Sequence, residues 1–138
     1  MAIIVNPESL APPRGYSNGM VMAGGNLLFI AGQIGWNREG EFASDAFAEQ
    51  FAQALDNVLD VVREAGGEPA SIGNLTIYVT DKQAYIAASK EVGAAYRTRM
   101  GSHYPAMALL EVSALLEPRA QVEIQAIAVV PATGEEGA

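Results

Sequence analysis

Between Asp45 and Ala65 the apolar residues Phe47, Phe51, Ala54, Leu55, Val58, Val61, Val62 and Ala65 recur at three- and four-residue steps. Glu49, Gln53, Asp56, Asp60 and Arg63 fall mainly on the remaining arc. This spacing predicts a helix with one apolar stripe, and such a stripe needs an apolar surface to lie on. Ser44 is placed to cap its start, and Gly66-Gly67 offers the left-handed residue that commonly closes a helix.

On either side the period drops to two. "LTIYVT", Leu75 to Thr80, puts Leu75, Ile77 and Val79 on one face and Thr76, Tyr78 and Thr80 on the other. In "NGMVMAGGNLLFIAGQIGW" two apolar runs, Met20–Ala23 and Leu27–Ala31, flank Gly24, Gly25 and Asn26, which predicts a β-hairpin. Asp81 is set to cap a second helix reaching about Met100, with Tyr85, Ala88, Val92, Ala95 and Tyr96 on one face and Gly101 as its stop. Strands over about Met107–Leu115 and Gln121–Val130 follow, and the tail at 131–138 is expected to fray. The N-terminal segment has room for one more strand.

Helices interleaved with strands in this order predict an α+β fold: a mixed six-stranded sheet with both helices packed on one face. The other face, with "LLFIA" and "VEIQAIAVV" contributing apolar side chains, would be left wet in a single chain, so self-association is expected. At 138 residues the chain is read as one domain, 1–138.

Composition narrows the chemistry. There is no cysteine and a single histidine, His103, which excludes a thiolate nucleophile and a Cys/His zinc site. A formal net charge of −8 with scattered basic residues disfavours nucleic acid and anionic membranes as partners. "MAIIVNPESLAPPRG" has no basic segment leading into a long apolar one, and no run approaches the roughly 20 residues of a membrane span. A cytoplasmic location is expected.

"GYSNGM", "LLFIAGQI", "QALDNVLDVVREAGG", "LTIYVTD", "YPAM" and "VEIQAIAV" together span about 115 residues. In order and spacing they resemble the RidA/YjgF family, the reactive-intermediate deaminases also labelled endoribonuclease L-PSP. The resemblance implies a chorismate-mutase-like fold, a homotrimer with sites in clefts between subunits, and hydrolysis of enamines or imines such as 2-aminoacrylate to a ketone and ammonia. Such chemistry needs a positioned water, a group that manages protons and a hold on the substrate, and no metal or organic cofactor.

In the resembled family a glutamate of a "V/I-E-I" motif handles the water, and "VEI" puts Glu123 there. Tyr16 matches the tyrosine of the "P-Y-S" region, where a phenol orients substrate or water, so Glu123 and Tyr16 are the expected catalytic pair. Gly32 and Gln33 in "AGQI" match the "S-G-Q" segment, expected to approach the ligand by backbone. The substrate-gripping arginine of "P-A-R" is missing: "PAM" sets Met107 at its position. Leu109 stands where deaminase members often carry cysteine, and Trp36 is an indole able to stack on a planar ligand.

Methionine has an apolar stem where arginine has a bidentate, charge-assisted fork. The substrate expected is therefore a small molecule without a free carboxylate at that spot. A non-catalytic, metabolite-binding trimer is the alternative, and RNA cleavage a distant third. Arg119, in a turn, is read as solvent-exposed rather than as a replacement for the lost guanidinium, His103 as a surface or capping residue rather than a catalytic one, and Glu111 as a structural hydrogen-bond partner rather than a second site carboxylate.

Overall fold

The computed structural model describes residues 2–132. Its elements in chain order are Ala2–Val5 (β1), Gly19–Met22 (β2), Gly25–Ile34 (β3), Phe47–Glu64 (α1), a 3-10 turn at Pro69–Ser71, Ile72–Val79 (β4), Lys82–Ala87 (α2), Ser89–Met100 (α3), Ala106–Glu111 (β5) and Val122–Pro131 (β6). β6 organises the sheet: it pairs antiparallel with β3 on one side and β4 on the other, and β4 pairs in parallel with β5, giving the order β3-β6-β4-β5. The parallel pair is joined by α2 and α3, as a crossover must be.

The helix stripe finds its surface here. Phe51, Ala54, Leu55, Val58, Leu59 and Val62 of α1 are buried against Leu75, Ile77 and Val79 of β4 and the alternating Val122, Ile124, Ala126, Ala128 and Val130 of β6. Each Val, Leu, Ile or Phe side chain of this layer contributes about 1.5–3 kcal/mol on full burial. Gln50 is the one polar residue of α1 in this buried layer and is only 2% exposed. Its Nε2 donates to the carbonyls of Ser44 and Arg119, and its Oε1 accepts from the Gln121 amide, tying the helix to the approach of β6.

The helix ends are half as expected. Gly66 (φ +89°) follows α1; its amide donates to Arg63 O and that of Gly67 to Val62 O, a Schellman closure. At the other end the Ser44 hydroxyl accepts from the Ala46 amide at 2.9 Å, so Ser44 shapes the approach while Ala46 is the cap. Asp81 does cap α2, its Oδ1 accepting from Gln83 N (2.9 Å) and Ala84 N (3.4 Å). The second helix is broken at Ala88, yet Tyr85, Ala88, Val92, Ala95 and Tyr96 all still pack on the core, and Gly101 (φ +63°) ends it.

The sheet corrects three expectations. The strands form two sheets, the four-stranded one and a separate β1-β2 pair, instead of one of six. β2 and β3 make no hairpin with each other: β2 pairs with β1, and β3 with β6. Gly24 (φ +85°) still turns the chain, but Gly25 lies so close to β6 that a Cβ there would be 2.0 Å from Val130 O. Burying Ile30 and Leu28 beneath α1 through the β6 pairing outweighs the local turn preference. β5 stops at Glu111 instead of Leu115, because after the Val112 amide donates to Val79 O there is no further β4 to pair with. Pro131 still belongs to β6; of the tail expected to fray, 133–138 lie outside the described residues.

The face of the sheet away from the helices carries Leu27 (65% exposed) and Phe29 (71%) of β3, with Ile127 and Leu110 also exposed. Glu123, Gln125, Thr76 and Tyr78 share that face. No helix among the described residues is long and apolar enough to cross a membrane.

Candidate functional site

β3 contains the irregularity that shapes the site. Ile30 opposes Ala126 and Gln33 opposes Ile124, so Ala31 and Gly32 together face one residue of β6 in a β-bulge. Glu123 opposes Ile34 beyond the bulge and Tyr78 on β4. Its carboxylate lies over Gly32: a Cβ built on Gly32 would be 2.1 Å from Glu123 Oε2 and 2.7 Å from Cδ. Glycine is what permits this close approach. Among the described residues no hydrogen bond or ion pair engages the Glu123 carboxylate, whereas the neighbouring Tyr78 hydroxyl donates to Gln125 Oε1 at 3.1 Å. The carboxylate is half-buried.

The bulge turns Gln33 toward the helix side. There it lines a hollow of about 340 Å³ with Trp36, Gln53 and Asn57. Trp36 is held by its carbonyl, which accepts from Asn57 Nδ2 at 2.9 Å, and its ring tilts against Phe42 with centroids 6.1 Å apart.

Met107 lies elsewhere. It pairs in register with Leu75 and, with Leu75 and Ile77, floors a cavity of about 310 Å³ between the β4–β5 ledge and α3. Tyr96 and Tyr104 wall it, their rings stacked at 5.2 Å and 12°. The Tyr96 hydroxyl donates to His103 O at 2.6 Å; burial, with Tyr104 adding a smaller push, holds this phenol above the ordinary tyrosine range. Leu109, two residues along, packs against the core and does not line the cavity. Tyr16 sits between Gly15, which lines the cavity, and Ser17, which bridges to Ala106 and whose hydroxyl donates to Tyr104 O.

One chain thus distributes the expected residues over three places: Glu123 with Gly32, Gln33 with Trp36, and Met107 beside the Tyr16 segment. Met107 shares the helix-side face with Leu75, while Glu123 projects from the opposite one. Arg119, His103 and Glu111 are each engaged. Arg119 pairs with Asp45 at 2.7 Å and lies over the Phe42 ring, His103 Nε2 meets Ile72 O at 2.7 Å, and Glu111 Oε1 accepts from Lys82 N. Sequence reasoning missed Tyr85, Tyr96, Tyr104 and Arg97 as cavity-lining residues. Nothing in the spacing of Arg97 singles it out from other exposed helix charges.

The profile of the family described as endoribonuclease L-PSP matches residues 7–130. The chain belongs to the RidA/YjgF family. A RutC family protein of Aquifex aeolicus is 34% identical over 131 residues, 94% of this chain and 99% of the relative. The 2-iminobutanoate/2-iminopropanoate deaminase of Escherichia coli K12 is 36% identical over 106 residues, 76% of this chain and 80% of that enzyme. Among solved structures, YyfB of the conserved Rid family from Yersinia pestis superposes with a TM-score of 0.83 at 32% identity, covering 94% of this chain and 98% of that one. The α+β arrangement is that of the Rid fold.

Proposed function

We propose that this Rid-family chain is a cofactor-independent hydrolase of enamines or imines whose substrate has no free carboxylate against Met107. It works as a homotrimer, with each site shared between neighbouring copies. The observation that carries the reading is Glu123, a carboxylate without a partner among the described residues, laid over the bare Cα of Gly32. In the reaction a water oxygen bonds to the imine carbon while Glu123 takes its proton and passes it to nitrogen. The resulting carbinolamine then loses ammonia as its C–N bond breaks and its hydroxyl proton moves to nitrogen, leaving a ketone. Positioned proton transfer of this kind contributes about 10²–10⁴-fold.

The shared site follows from the opposite placement of Met107 and Glu123, which a second copy brings together by setting its own Glu123 beside the first chain's cavity. Leu27, Phe29, Leu110 and Ile127 supply an apolar surface for that packing. Tyr16, Gly32, Gln33 and Trp36 orient the substrate. The net charge of −8 stands against RNA as a substrate.

The test is ammonia release from a panel of imines generated in situ by an amino-acid oxidase, together with 2-aminoacrylate. Losing a carboxylate clamp costs about 2–5 kcal/mol, so free 2-imino acids should turn over roughly 30- to several-thousand-fold more slowly than with an arginine-bearing relative. A neutral imine should turn over, and Glu123→Gln should abolish that turnover while the fold persists. Equal rates for 2-aminoacrylate in the two proteins, or full activity in Glu123→Gln, would overturn the reading.

A further inference from the structure

Among the described residues Arg97 is the one charged residue lining the Met107 cavity, and no carboxylate among them lines it. Among the described residues its guanidinium has no hydrogen bond or ion pair. The contrast with its neighbours is direct: Arg99, two residues on, forks onto Asp56 Oδ1 and Oδ2 at 2.7 and 3.2 Å, and Arg119 is held by Asp45. Arg97 is exposed, and in a chain of net charge −8 it brings a positive charge to the edge of this cavity.

Its position is also prepared. Arg97 folds back along α3 over Gly93, where a Cβ would come within 3.2 Å of Nη1. Glycine inside a helix is destabilising by about 1 kcal/mol relative to alanine, and a Cβ here would push the guanidinium aside by a few tenths of an ångström. The rest of the lining is mainly apolar and aromatic, with Phe51, Leu75, Ile77 and Met107 beside Tyr85, Tyr96 and Tyr104 and with Ser89 as a polar member.

We propose that Arg97 is the anion-binding residue of this site, and that the ligand is an organic acid whose carboxylate is separated from its reactive end by an apolar or aromatic segment. The segment lies on Met107 and the aliphatic floor, and the carboxylate reaches the rim. This rests on the reading of the cavity as part of the substrate site. It adds that the charge recognised in relatives next to the reacting carbon is here recognised at a distance from it. On this reading the cavity favours a ligand long enough to touch both Met107 and Arg97 over short 2-oxo acids.

The experiment is equilibrium binding by calorimetry to the full chain and to Glu123→Gln, so that anion recognition is read apart from turnover. The probes are 3-phenylpropanoate, its neutral amide, and pyruvate. The acid should bind at least about tenfold more tightly than the amide or pyruvate, in both proteins. Arg97→Gln should erase the acid-over-amide preference, and Arg97→Lys should keep part of it. Gly93→Ala should raise helix stability yet weaken acid binding severalfold by displacing the guanidinium. Equal binding of acid and amide, a preference that survives Arg97→Gln, or no detectable binding of any probe would each overturn the proposal. Loss of turnover in Glu123→Gln with acid binding intact would support both readings separately.

Discussion

Gly32→Ala separates the placement of Glu123 from the stability of the sheet. Gly32 is not among the glycines with positive φ, so an alanine meets no backbone strain there. The atoms its Cβ would meet are Glu123 Oε2, Cδ and Cγ at 2.1, 2.7 and 2.9 Å, all on one flexible side chain. Restoring ordinary contact requires the carboxylate to withdraw by more than an ångström. A shifted rotamer costs about 0.5–1.5 kcal/mol, and the reduced freedom of the unfolded chain returns about 0.4–1 kcal/mol. The net change in stability should stay within about 1 kcal/mol, or roughly 4 °C in Tm.

Activity should respond quite differently. A displacement of about 1 Å at a reacting group costs on the order of 10²-fold, so kcat on the best imine of the ammonia-release panel should fall about a hundredfold. Glu123→Gln and the double variant should be equally inactive, because both changes remove one function. Gly25→Ala is the control: its Cβ would lie 2.0 Å from a backbone oxygen, Val130 O, and neither strand can yield cheaply. It should lose about 1–3 kcal/mol of stability through overpacking. Turnover in Gly32→Ala matching wild type, or a collapse in its Tm like that of Gly25→Ala, would refute the reasoning.

Tyr96→Phe removes the hydroxyl that donates to His103 O, and should cost about 1 kcal/mol in urea denaturation at pH 7. Because the folded protein holds the Tyr96 phenol above its ordinary value of about 10, its contribution is complete below pH 10 and is lost as pH rises toward the folded pKa. Stability should therefore fall less steeply above pH 10 in Tyr96→Phe than in wild type; equal slopes would count against a phenol held neutral by burial. Phe29, 71% exposed on the open sheet face, should contribute about 1.5–3 kcal/mol per chain to assembly. Light scattering should give wild type a mass near three times 14.5 kDa and Phe29→Asp that of one chain, whereas a monomeric wild type would dismiss the trimer.

The parts of the fold that could be read in advance are those where a period meets a buried face. The α1 stripe, the alternation of β4 and β6, and the caps at Asp81, Gly66 and Gly101 depend on neighbours in sequence, and they stand where the spacing put them. The β2–β3 hairpin was misread because glycines in a turn state only that the chain bends, while pairing partners are chosen by which strand buries Ile30 and Leu28. For the site, alternation correctly put Glu123 on the face opposite Val122 and Ile124. The seat over Gly32 depends on a bulge that the glycine inside the strand pattern of "AGQI" is compatible with, while the residue it faces across the sheet is set by the β6 register. Arg97 went unread since an unpaired arginine on a helix looks like any solvated charge until the cavity beside it is known.

The opposed faces of Met107 and Glu123 have a genetic corollary. On the proposed assembly each crevice draws its floor from one copy and its acid from the next. A protein crippled at Glu123 and another crippled at Arg97 therefore carry damage on different halves of the junction. Co-refolded, the two would create some junctions in which both halves are sound, so the mixture would regain a preference for turning over carboxylate-bearing imines that neither protein has alone.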